Sequence, residues 1–462
     1  MKIPNTIFKT YDIRGIVGNE LNNALIRDIG KVFGIRAQKR GIETCVIGRD
    51  GRESGSSFAD SLSNGLRMVG INVIDIGMVP TPMVYFATHY FKNGTGIVIT
   101  GSHNPSEYNG LKMMLAGKTL WGNEILDLRN DLKKLTNMPN FISTSYGDYK
   151  GCDIFEEYRK EILGSIKLSR PLNIAIDAGN GVAGQVAKNI FKSLGCDVVD
   201  LYCEVNGTFP NHHPDPADPK NLTDLIHTVC KYKLDFGLAF DGDGDRLGVI
   251  SKSGKIIWPD RQLMLHAKEV LKKSPGSQII FDVKCSRHVA EWIERHGGCP
   301  VMWKTGHSLI KAKLKETNAP LAGEMSGHIF FNDRWFGFDD AIYAGARLIE
   351  VLSKKNEPGK YLDSLPESVS TPELKYKHPS LSSVFLVESV KSDGVFPTAK
   401  KFISIDGIRV EYDDGFGLAR SSNTTPVVVF RFEANNEESL TRIKNEFRKV
   451  FLSIDSSMQL PF

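Results

Sequence analysis

A serine, a histidine, an amide and a lysine lie close together in the run TGSHNPSEYNGLK, which spans residues 100–112. Ser102 is a candidate nucleophile, His103 a candidate proton carrier, and Lys112 a cation that can neutralise developing negative charge. The β-branched residues 97–99 before this run predict a buried strand, and the glycine and proline that follow end it. Because ligands of open α/β sheets bind where strands end, we expect a binding edge here. An ordinary polar turn has a similar composition, so this run by itself leaves both interpretations open.

Three aspartates alternate with glycine in the run DGDGDR, residues 241–246. Asp241, Asp243 and Asp245 would repel one another unless a cation lies among them, and the glycines let the backbone curl so that the carboxylates converge. Oxygen ligands without histidine or cysteine favour Mg²⁺ or Ca²⁺ over zinc. An EF-hand calcium loop does not fit, because its sixth position would be Arg246 instead of glycine. The run therefore predicts a site for a hard divalent cation.

A carboxylate, a hydroxyl and an imidazole stand between glycines in the run GEMSGH, residues 323–328. Glu324 and Ser326 suit a ligand with several hydroxyl groups, because a carboxylate can accept hydrogen bonds from two adjacent hydroxyls. The alternative is a glycine-rich turn in which His328 has an ordinary structural role. The nearby run KTGHS, which contains His307, is a weaker signal of the same kind.

A fourth run of polar donors, RSSNTTP, begins at Arg420. Arg420 offers a guanidinium group, while Ser422, Asn423 and Thr424 offer side-chain and backbone donors that suit a phosphate group. A solvated hairpin loop is the alternative. Together, the four runs provide a serine nucleophile, a divalent cation, a hydroxyl-reading loop and a phosphate clamp. That combination indicates phosphoryl transfer on a sugar phosphate.

The elements that must position these runs recur three times along the chain. Each copy is a strand ending in aspartate, then a helix, a glycine stop and a second strand, and the copies begin at residues 45–50, 172–177 and 278–282. Each copy closes with one more apolar strand that leads directly into the serine, the aspartate or the glutamate run. We therefore expect three related α/β units that deliver three chemically different loops to one shared cleft.

The C-terminal part of the chain predicts a smaller α+β unit. Residues 370–379 predict a linker, residues 402–412 a hairpin and residues 426–432 a strand, followed by a helix that begins near Asn435 or Asn436. The length of 462 residues suits three or four domains of about 100–150 residues each. We place the domain boundaries to give residues 1–148, 149–255, 256–367 and 368–462.

Composition excludes several classes of protein. A net charge of +4 is too small for this length to indicate a nucleic-acid binder. No apolar run reaches the roughly eighteen residues of a membrane helix, and the polar start lacks the apolar stretch of a signal peptide. The seven scattered cysteines contain no C-x-x-C pair, which predicts reduced thiols instead of disulfides or a zinc site. We expect a soluble, cytoplasmic protein.

Taken in order, the motifs resemble those of the α-D-phosphohexomutases, and most closely the bacterial bifunctional phosphomannomutase/phosphoglucomutase family. The likeness runs from YDIRG at residues 11–15 to the final helix, so it covers essentially the whole chain. The resemblance implies four domains in a heart shape around a central cleft. It also implies reversible interconversion of hexose 1-phosphate and hexose 6-phosphate, for mannose and glucose, through a phosphoserine enzyme and a 1,6-bisphosphate intermediate.

The resemblance assigns a role to each candidate residue. Ser102 matches the serine that carries phosphate, and Asp241, Asp243 and Asp245 match the Mg²⁺ ligands, with the phosphorylated serine as a further ligand. The residues that match catalytic positions are Ser102, His103, Lys112, Arg14 and Arg246. The residues that match substrate-binding positions are Tyr11, Lys284, His307, Glu324, Ser326, His328, Arg420, Ser422, Asn423 and Thr424. The implied cofactors are Mg²⁺ and glucose 1,6-bisphosphate, and we expect a monomer that binds hexose phosphates but neither nucleic acid nor membranes.

Three alternatives share much of this pattern. Phosphoglucosamine mutases have the same scaffold, although they tend to carry glutamine where this chain has Met325. A non-catalytic sugar-phosphate-binding protein would need neither Ser102 nor the aspartates. A phosphatase would differ only in the access of water to the phosphoserine.

Overall fold

The computed structural model describes residues 3–135, 145–423 and 425–462, and these residues form four β-sheets in chain order. The sheets contain seven, five, four and six strands. This confirms the predicted arrangement of three related mixed α/β units followed by an α+β unit. Thr424, one of the predicted phosphate-binding residues, lies outside the described residues.

The first sheet is mixed and carries the serine run. In spatial order its strands are Ile13–Ile16, Tyr108–Leu115, Gly96–Ile99, Thr44–Arg49, Asn72–Met78 and Tyr149–Gly151, with Lys118–Thr119 paired to Tyr108–Leu115. The helices of this unit are Asn23–Gln38, Gly55–Met68, Thr81–Tyr90 and Asn123–Leu135, with a 3₁₀ turn at Asn5–Ile7. The backbones of the first two of these helices are in close contact at Gly65. A Cβ atom added at this glycine would lie only 2.0 Å from the carbonyl oxygen of Arg27.

The second and third sheets repeat this plan with fewer strands. The second sheet has the order Ile256–Ile257, Leu247–Ser251, Phe236–Phe240, Asn173–Asp177 and Asp197–Leu201, with helices Phe155–Ser165, Ala183–Ser193 and Thr223–Tyr232 and a 3₁₀ turn at Pro219–Leu222. The third has the order Cys299–Trp303, Gln278–Asp282, Leu321–Gly323 and Ile329–Phe331, with helices Pro259–Lys273, His288–Arg295, His307–Thr317, Ala341–Ser353 and Pro358–Asp363.

The three chemistry-bearing loops occupy the same place in their sheets. In each unit, the strand that ends in aspartate pairs in parallel with a second strand. The loop connects this second strand to a third strand, which is antiparallel to it. These loops are residues 100–107, 241–246 and 324–328. Because the position repeats, equivalent strand ends carry the serine hydroxyl in the first unit, three carboxylates in the second and a glutamate in the third.

The fourth sheet is antiparallel throughout its described pairs. Its order is Val369–Ser370, Val428–Ala434, Gly415–Ser421, Ile408–Tyr412 and Lys401–Ile403, with Leu374–Tyr376 also paired to Val428–Ala434, and its helices are Ser383–Asp393 and Glu437–Ile454. The final helix is capped by the side chain of Asn436, which accepts a hydrogen bond from the backbone N–H of Ser439 at 2.9 Å.

The predicted linker over residues 370–379 is wrong. Ser370 closes one short strand and Leu374–Tyr376 forms another, and both pair with the central strand Val428–Ala434. The two strands are too short to show a clear alternating pattern, and Pro372 between them cannot donate a hydrogen bond to a sheet. The sequence of this segment therefore predicts a loop, although in the structure the segment adds two short strands to the fourth sheet.

One hydrophobic cluster runs through the first three units without a break. Phe86 of the first unit stacks on Trp335 of the third with ring centroids 6.0 Å apart. Phe191 of the second unit packs so closely on the third that a Cβ added at Gly345 would lie 3.0 Å from its ring. Shared burial of this kind fixes the three sheets, and so their loops, relative to one another.

Two expectations from composition can be compared with the structure. All seven cysteines, each within the described part of the chain, are unpaired thiols. Among the helices of the described residues, none combines the length and apolar character needed to cross a membrane.

Candidate active site

Ser102 lies in the turn that follows the buried strand Gly96–Ile99. Its backbone has a φ of +49°, which is unusual for a residue other than glycine, and its side chain is buried. The Oγ atom lies 3.0 Å from Asp241 Oδ2 and 3.2 Å from His103 Nδ1. The candidate nucleophile of the first unit therefore contacts the acidic loop of the second unit directly.

Glycine makes this close approach possible. A Cβ added at Gly242 would lie 2.5 Å from the carbonyl oxygen of Ser102. In the acidic loop itself, Asp241 Oδ1 accepts hydrogen bonds from the backbone N–H groups of Asp245 at 3.0 Å and Arg246 at 3.1 Å. The first aspartate therefore closes the turn that brings the other two beside it.

Asp241, Asp243 and Asp245 form a fully buried cluster able to hold a metal ion. Within residues 3–135, 145–423 and 425–462, Asp243 Oδ1 and Asp245 Oδ1 are buried atoms that accept no hydrogen bond. Burial, and then repulsion by the other two carboxylates, raises the pKa of Asp241 well above its usual value. Three converging carboxylates, two of which keep an oxygen without a hydrogen-bond partner among the described residues, fit a hard divalent cation.

Lys112 bridges the second and third aspartates of the cluster. Its Nζ lies 2.7 Å from Asp243 Oδ2 and also contacts Asp245 Oδ2. Burial alone would lower the pKa of Lys112, but these two ion pairs raise it well above its usual value. Asp243 Oδ2 also accepts hydrogen bonds from the hydroxyls of Thr81 at 2.5 Å and Thr100 at 3.1 Å. Lys112 is therefore an ammonium group held within the acidic cluster that Ser102 contacts.

Arg14 holds the serine loop from the side of the first strand. Its Nη1 donates to the carbonyl oxygen of Gly101 at 2.7 Å and to Asn104 Oδ1 at 2.8 Å, and its Nη2 donates to Asp12 at 2.5 Å. Arg14 Nε is a buried N–H that donates to no described residue. The hydrogen-bonding capacity of the Arg14 guanidinium is therefore only partly used by the described residues.

The glutamate loop lies at the equivalent edge of the third sheet. Glu324 is buried and accepts a 2.5 Å hydrogen bond from the backbone N–H of Gly306, and burial raises its pKa to about 7. Ser326 is half-buried on the same loop. Asp282 links the glutamate run, residues 323–328, to the run KTGHS, residues 304–308. Its carboxylate accepts hydrogen bonds from the backbone N–H of Met325 at 3.0 Å and from the Thr305 hydroxyl at 2.8 Å.

His307 and His328 stack against each other at 5.5 Å between ring centroids. Both rings face Asp339, whose Oδ2 lies 3.1 Å from His328 Nδ1 and 3.7 Å from His307 Nδ1. Lys311 Nζ donates to the other oxygen of Asp339 at 2.9 Å. Burial, and then the charge of Lys311, lowers the pKa of His307 well below its usual value. His307 is therefore neutral near pH 7.

The phosphate-clamp candidates reach the first unit through hydrogen bonds. Asn423 Nδ2 donates to the Tyr11 hydroxyl at 2.5 Å, and that hydroxyl donates to the carbonyl oxygen of Thr305 at 2.7 Å. Arg420 Nε donates to Asp406 Oδ2 at 3.1 Å, while Arg420 Nη2 is buried and has no hydrogen-bond partner among the described residues. An unused guanidinium N–H group is suited to an anion.

Lys284 and Ser422 complete the placement of the described candidates. Lys284 Nζ donates to Glu373 Oε1 at 2.5 Å, and the pKa of Lys284 is raised because the charges of Glu373 and Asp282 outweigh the effect of burial. Ser422 Oγ accepts hydrogen bonds from the backbone and the hydroxyl of Thr425 at 3.3 and 3.1 Å. Ser422 thus shapes the turn in which Asn423 lies.

Sequence reasoning misses the acidic residues that brace these groups. They include Asp50, Asp282, Asp339 and Asp406, and none of the four lies in a run to which the sequence assigns a chemical role. The strand–helix–strand pattern that recurs three times offers a signal for two of them, because the first strand of each copy ends in aspartate. Asp50 accepts from Gly101 N at 2.9 Å, and Asp282 accepts from Met325 N at 3.0 Å. In both units, the aspartate at the strand end holds the neighbouring chemistry-bearing loop.

Comparison with known proteins agrees with this geometry. The models for the alpha/beta/alpha domains I, II and III of phosphoglucomutase/phosphomannomutase match residues 5–137, 156–254 and 258–369, and the C-terminal domain model matches residues 375–450. A phosphoglucomutase from Neisseria gonorrhoeae is 51% identical over 453 residues, with 98% of each chain covered. A phosphomannomutase/phosphoglucomutase from Pseudomonas aeruginosa is 48% identical over 461 residues, which cover 100% of this chain and 98% of that one.

A solved structure extends the agreement to three dimensions. The crystal structure of a phosphoglucomutase/phosphomannomutase family protein from Burkholderia thailandensis has a TM-score of 0.95 to this chain at 50% identity, with 100% of both chains covered. Sequence and structure thus match along the full length, through all four units and their loops. The chain therefore belongs to the phosphoglucomutase/phosphomannomutase family.

Proposed function

We propose that this protein reversibly interconverts hexose 1-phosphates and hexose 6-phosphates, and that it accepts both mannose and glucose phosphates. The observation that carries the proposal is the 3.0 Å contact between Ser102 Oγ and Asp241 Oδ2, which places a nucleophile against a buried acidic cluster. The printed names of the Neisseria gonorrhoeae relative, phosphoglucomutase, and of the Pseudomonas aeruginosa relative, phosphomannomutase/phosphoglucomutase, support the same reaction.

In the proposed reaction, phosphorylated Ser102 transfers its phosphoryl group to a free hydroxyl of the bound hexose phosphate. The bond from phosphorus to Ser102 Oγ breaks while a bond to the sugar oxygen forms, which gives a hexose 1,6-bisphosphate. The bisphosphate turns over in the cleft, and Ser102 takes a phosphoryl group back from the opposite end. Glucose 1,6-bisphosphate is thus both an intermediate and an activator that phosphorylates an empty serine.

The charges around Ser102 suit this transfer. Mg²⁺ held by Asp241, Asp243, Asp245 and the phosphorylated serine would supply Lewis-acid stabilisation of the transferring group. Arg14, Lys112 and Arg246 offset the remaining negative charge of the phosphates.

His103 has a role when Ser102 attacks the bisphosphate. Burial, and then the charges of Arg246 and Arg14, lowers the pKa of His103 well below its usual value. The imidazole is therefore neutral near pH 7, and its Nδ1 lies 3.2 Å from Ser102 Oγ. A neutral ring at this distance can accept the hydroxyl proton as the serine becomes a nucleophile.

Two further groups of residues would hold the substrate. Glu324 and Ser326 would read sugar hydroxyls, assisted by His307 and His328. The residues proposed to bind the phosphate that is not being transferred are Tyr11, Lys284, Arg420, Ser422, Asn423 and Thr424. Because the sugar reverses between the two transfers, the same clamp must accept a phosphate on either end of the hexose.

We also propose that the protein is a cytoplasmic monomer. Seven unpaired cysteines suit a reducing compartment, and the monomeric state rests on the family resemblance. Light scattering on the purified protein measures the molecular mass in solution and so tests the second point.

The experiment that tests the function is a coupled assay of the purified protein with glucose 1-phosphate and mannose 1-phosphate, each with catalytic glucose 1,6-bisphosphate. We expect 6-phosphate products from both sugars and one phosphoryl group on the wild-type protein by intact-mass analysis. Ser102→Ala should lose the phosphorylated form and nearly all activity. Wild-type turnover by this variant would contradict the assignment, and release of inorganic phosphate without 6-phosphate would indicate a phosphatase.

A further inference from the structure

Arg52 lies beneath the Ser102 loop and is not part of any motif found in the sequence. Its side chain is fully buried, with 0% of its surface exposed. It enters from the segment after the strand Thr44–Arg49. A buried guanidinium group requires several acceptors, because an unpaired charge in the protein interior is strongly destabilising.

The acceptors of Arg52 are backbone carbonyl groups of the nucleophile loop. Its Nη2 donates to Ser102 O at 2.8 Å and to Asn104 O at 2.6 Å. Its Nη1 donates to the carbonyl oxygens of Pro105 at 2.5 Å and Tyr108 at 3.0 Å. Three carbonyl groups of the loop and one from the first residue of the following strand thus converge on one planar group, whose fork of N–H donors suits such an arrangement.

The remaining donor of Arg52 completes the bracing. Its Nε donates to Asp50 Oδ2 at 3.1 Å, and the same oxygen accepts from Gly101 N at 2.9 Å and from the Thr100 hydroxyl at 2.8 Å. The five N–H groups of the guanidinium therefore meet five acceptors, which leaves none for a phosphate or a sugar. This distinguishes Arg52 from Arg14, whose Nε has no described partner.

The loop that Arg52 braces is one that would not hold its shape unaided. A residue other than glycine in the left-handed region costs roughly 1 kcal/mol, and Ser102 has a φ of +49°. Such a conformation persists only where its surroundings over-determine it. The loop and the Arg52 side chain are packed closely at Gly101, where an added Cβ would lie 2.2 Å from Arg52 Nε.

We propose that Arg52 is a positioning residue that holds Ser102 in the geometry needed to give and receive a phosphoryl group. This inference rests on the proposed function. Arg52 acts through the carbonyl groups of the loop and not on the substrate, so its loss should lower kcat and leave KM nearly unchanged. A displacement of about 1 Å at a reacting group can reduce the rate about 100-fold.

The experiment compares Arg52→Lys and Arg52→Ala with the wild-type protein. A lysine ammonium cannot reproduce the planar fork, so it cannot hold four carbonyl groups in this arrangement. We expect kcat to fall about 100-fold and KM for glucose 1-phosphate to change less than about threefold. The rate at which glucose 1,6-bisphosphate phosphorylates Ser102, followed by intact mass, should fall in proportion to kcat.

Arg347→Lys is the matched control. Arg347 is also a buried arginine, with 4% of its side chain exposed, and its Nη1 and Nη2 donate to Asp333 at 2.7 and 2.9 Å, away from the nucleophile loop. This variant should lower the melting temperature without changing kcat or the rate of Ser102 phosphorylation.

The outcomes separate the inference from the proposed function. If the wild-type protein shows mutase activity and Arg52→Lys keeps its kcat, the inference is wrong. If KM rises while kcat is unchanged, Arg52 contacts substrate and the inference is also wrong. Should both Arg52 variants fail to fold, Gly101→Ala disturbs the same contact from the loop side and must show the same loss of kcat. An inactive wild-type protein would instead contradict the proposed function.

Discussion

The Nε–H group of Arg246 donates a 3.1 Å hydrogen bond to His328 Nε2. A nitrogen that accepts a hydrogen bond carries no proton, so the neutral imidazole of His328 has its proton on Nδ1. That nitrogen faces Asp339 Oδ2 at 3.1 Å and Asp245 Oδ1 at 3.6 Å. The hydrogen bond from Arg246 of the second unit therefore favours the tautomer of His328 whose proton lies on the side of Asp339 in the third unit.

Asp339→Asn should weaken this control over His328. Burial opposes ionisation of Asp339, but the charge of Lys311 and contact with His328 hold its pKa well below the usual range, so the wild-type group is a carboxylate. An amide can present an N–H group to the ring and so favour the other tautomer. We expect kcat to fall about 10–100-fold with an unchanged circular dichroism spectrum, a range typical of partners that orient a functional histidine.

Asp333→Asn serves as the control for that change, because Asp333 pairs with Arg347 and contacts none of the candidate site residues described above. It should lower the melting temperature and leave kcat unaltered. Equal kcat values for Asp339→Asn and the wild-type protein would show that the tautomer of His328 does not affect turnover.

Chelation should abolish activity, and added Mg²⁺ should restore it. The Lewis-acid role expected for the ion is worth several kcal/mol, which corresponds to a loss of at least about 100-fold in rate. Asp245→Asn should raise the Mg²⁺ concentration that gives half-maximal activity, because it replaces one of three oxygen ligands by a neutral one. Full activity in excess chelator, or restoration by Zn²⁺ alone, would mean that the aspartate cluster has a different role.

The pH dependence of kcat/KM should report the ionisation of Glu324, whose pKa burial raises to about 7. Below that pH the group is a neutral acid, and above it a carboxylate that can accept hydrogen bonds from two sugar hydroxyls. We therefore expect kcat/KM for glucose 1-phosphate to rise with pH up to about 7 and then to level off.

Glu324→Gln separates this effect from ionisation of the substrate. Glutamine does not titrate, so the variant should have a lower kcat/KM. The only pH dependence left in its kcat/KM profile should be the change near pH 6 that comes from ionisation of the substrate phosphate. Wild-type and variant profiles of the same shape would rule out Glu324 as the titrating group.

Mannose and glucose phosphates should both be good substrates. The two sugars differ only at C2, and a site built to hydrogen-bond one epimer there could reject the other by roughly 10⁴-fold. In the glutamate loop, Met325 has no polar side-chain group that could do this, and its backbone N–H already donates to Asp282 at 3.0 Å. The kcat/KM values of the two 1-phosphates measure the preference, and a ratio of several thousand would reveal a group that reads C2.

Glucosamine 1-phosphate in the same assay addresses the phosphoglucosamine mutase alternative. We expect it to be a poorer substrate than glucose 1-phosphate, because no carboxylate is assigned to the position of its amine. A higher kcat/KM for glucosamine 1-phosphate would favour that alternative.

The fold could be predicted where the sequence carries strong local signals. Apolar strands, the recurring aspartate at the strand end and the glycine stops identified three related units, and the apolar face of the helix Glu437–Ile454 was evident from the spacing of Leu440, Ile443 and Phe447. The strands Val369–Ser370 and Leu374–Tyr376 were missed, because two or three residues give no periodicity. Only pairing with a distant strand makes them part of a sheet.

The amino-acid sequence specifies which groups are available for chemistry: a serine after a buried strand, three aspartates between glycines, and a glutamate loop at the equivalent place in the third unit. These signals are local, because strand, turn and side-chain type are encoded by neighbouring residues. Tertiary structure alone decided which residues hold those groups in place. Arg52 and Asp339 are single charged residues without a motif, and each reaches its partners only because the fold of its own unit brings residues that are separated in sequence, backbone carbonyls for Arg52 and imidazoles for Asp339, within hydrogen-bond distance.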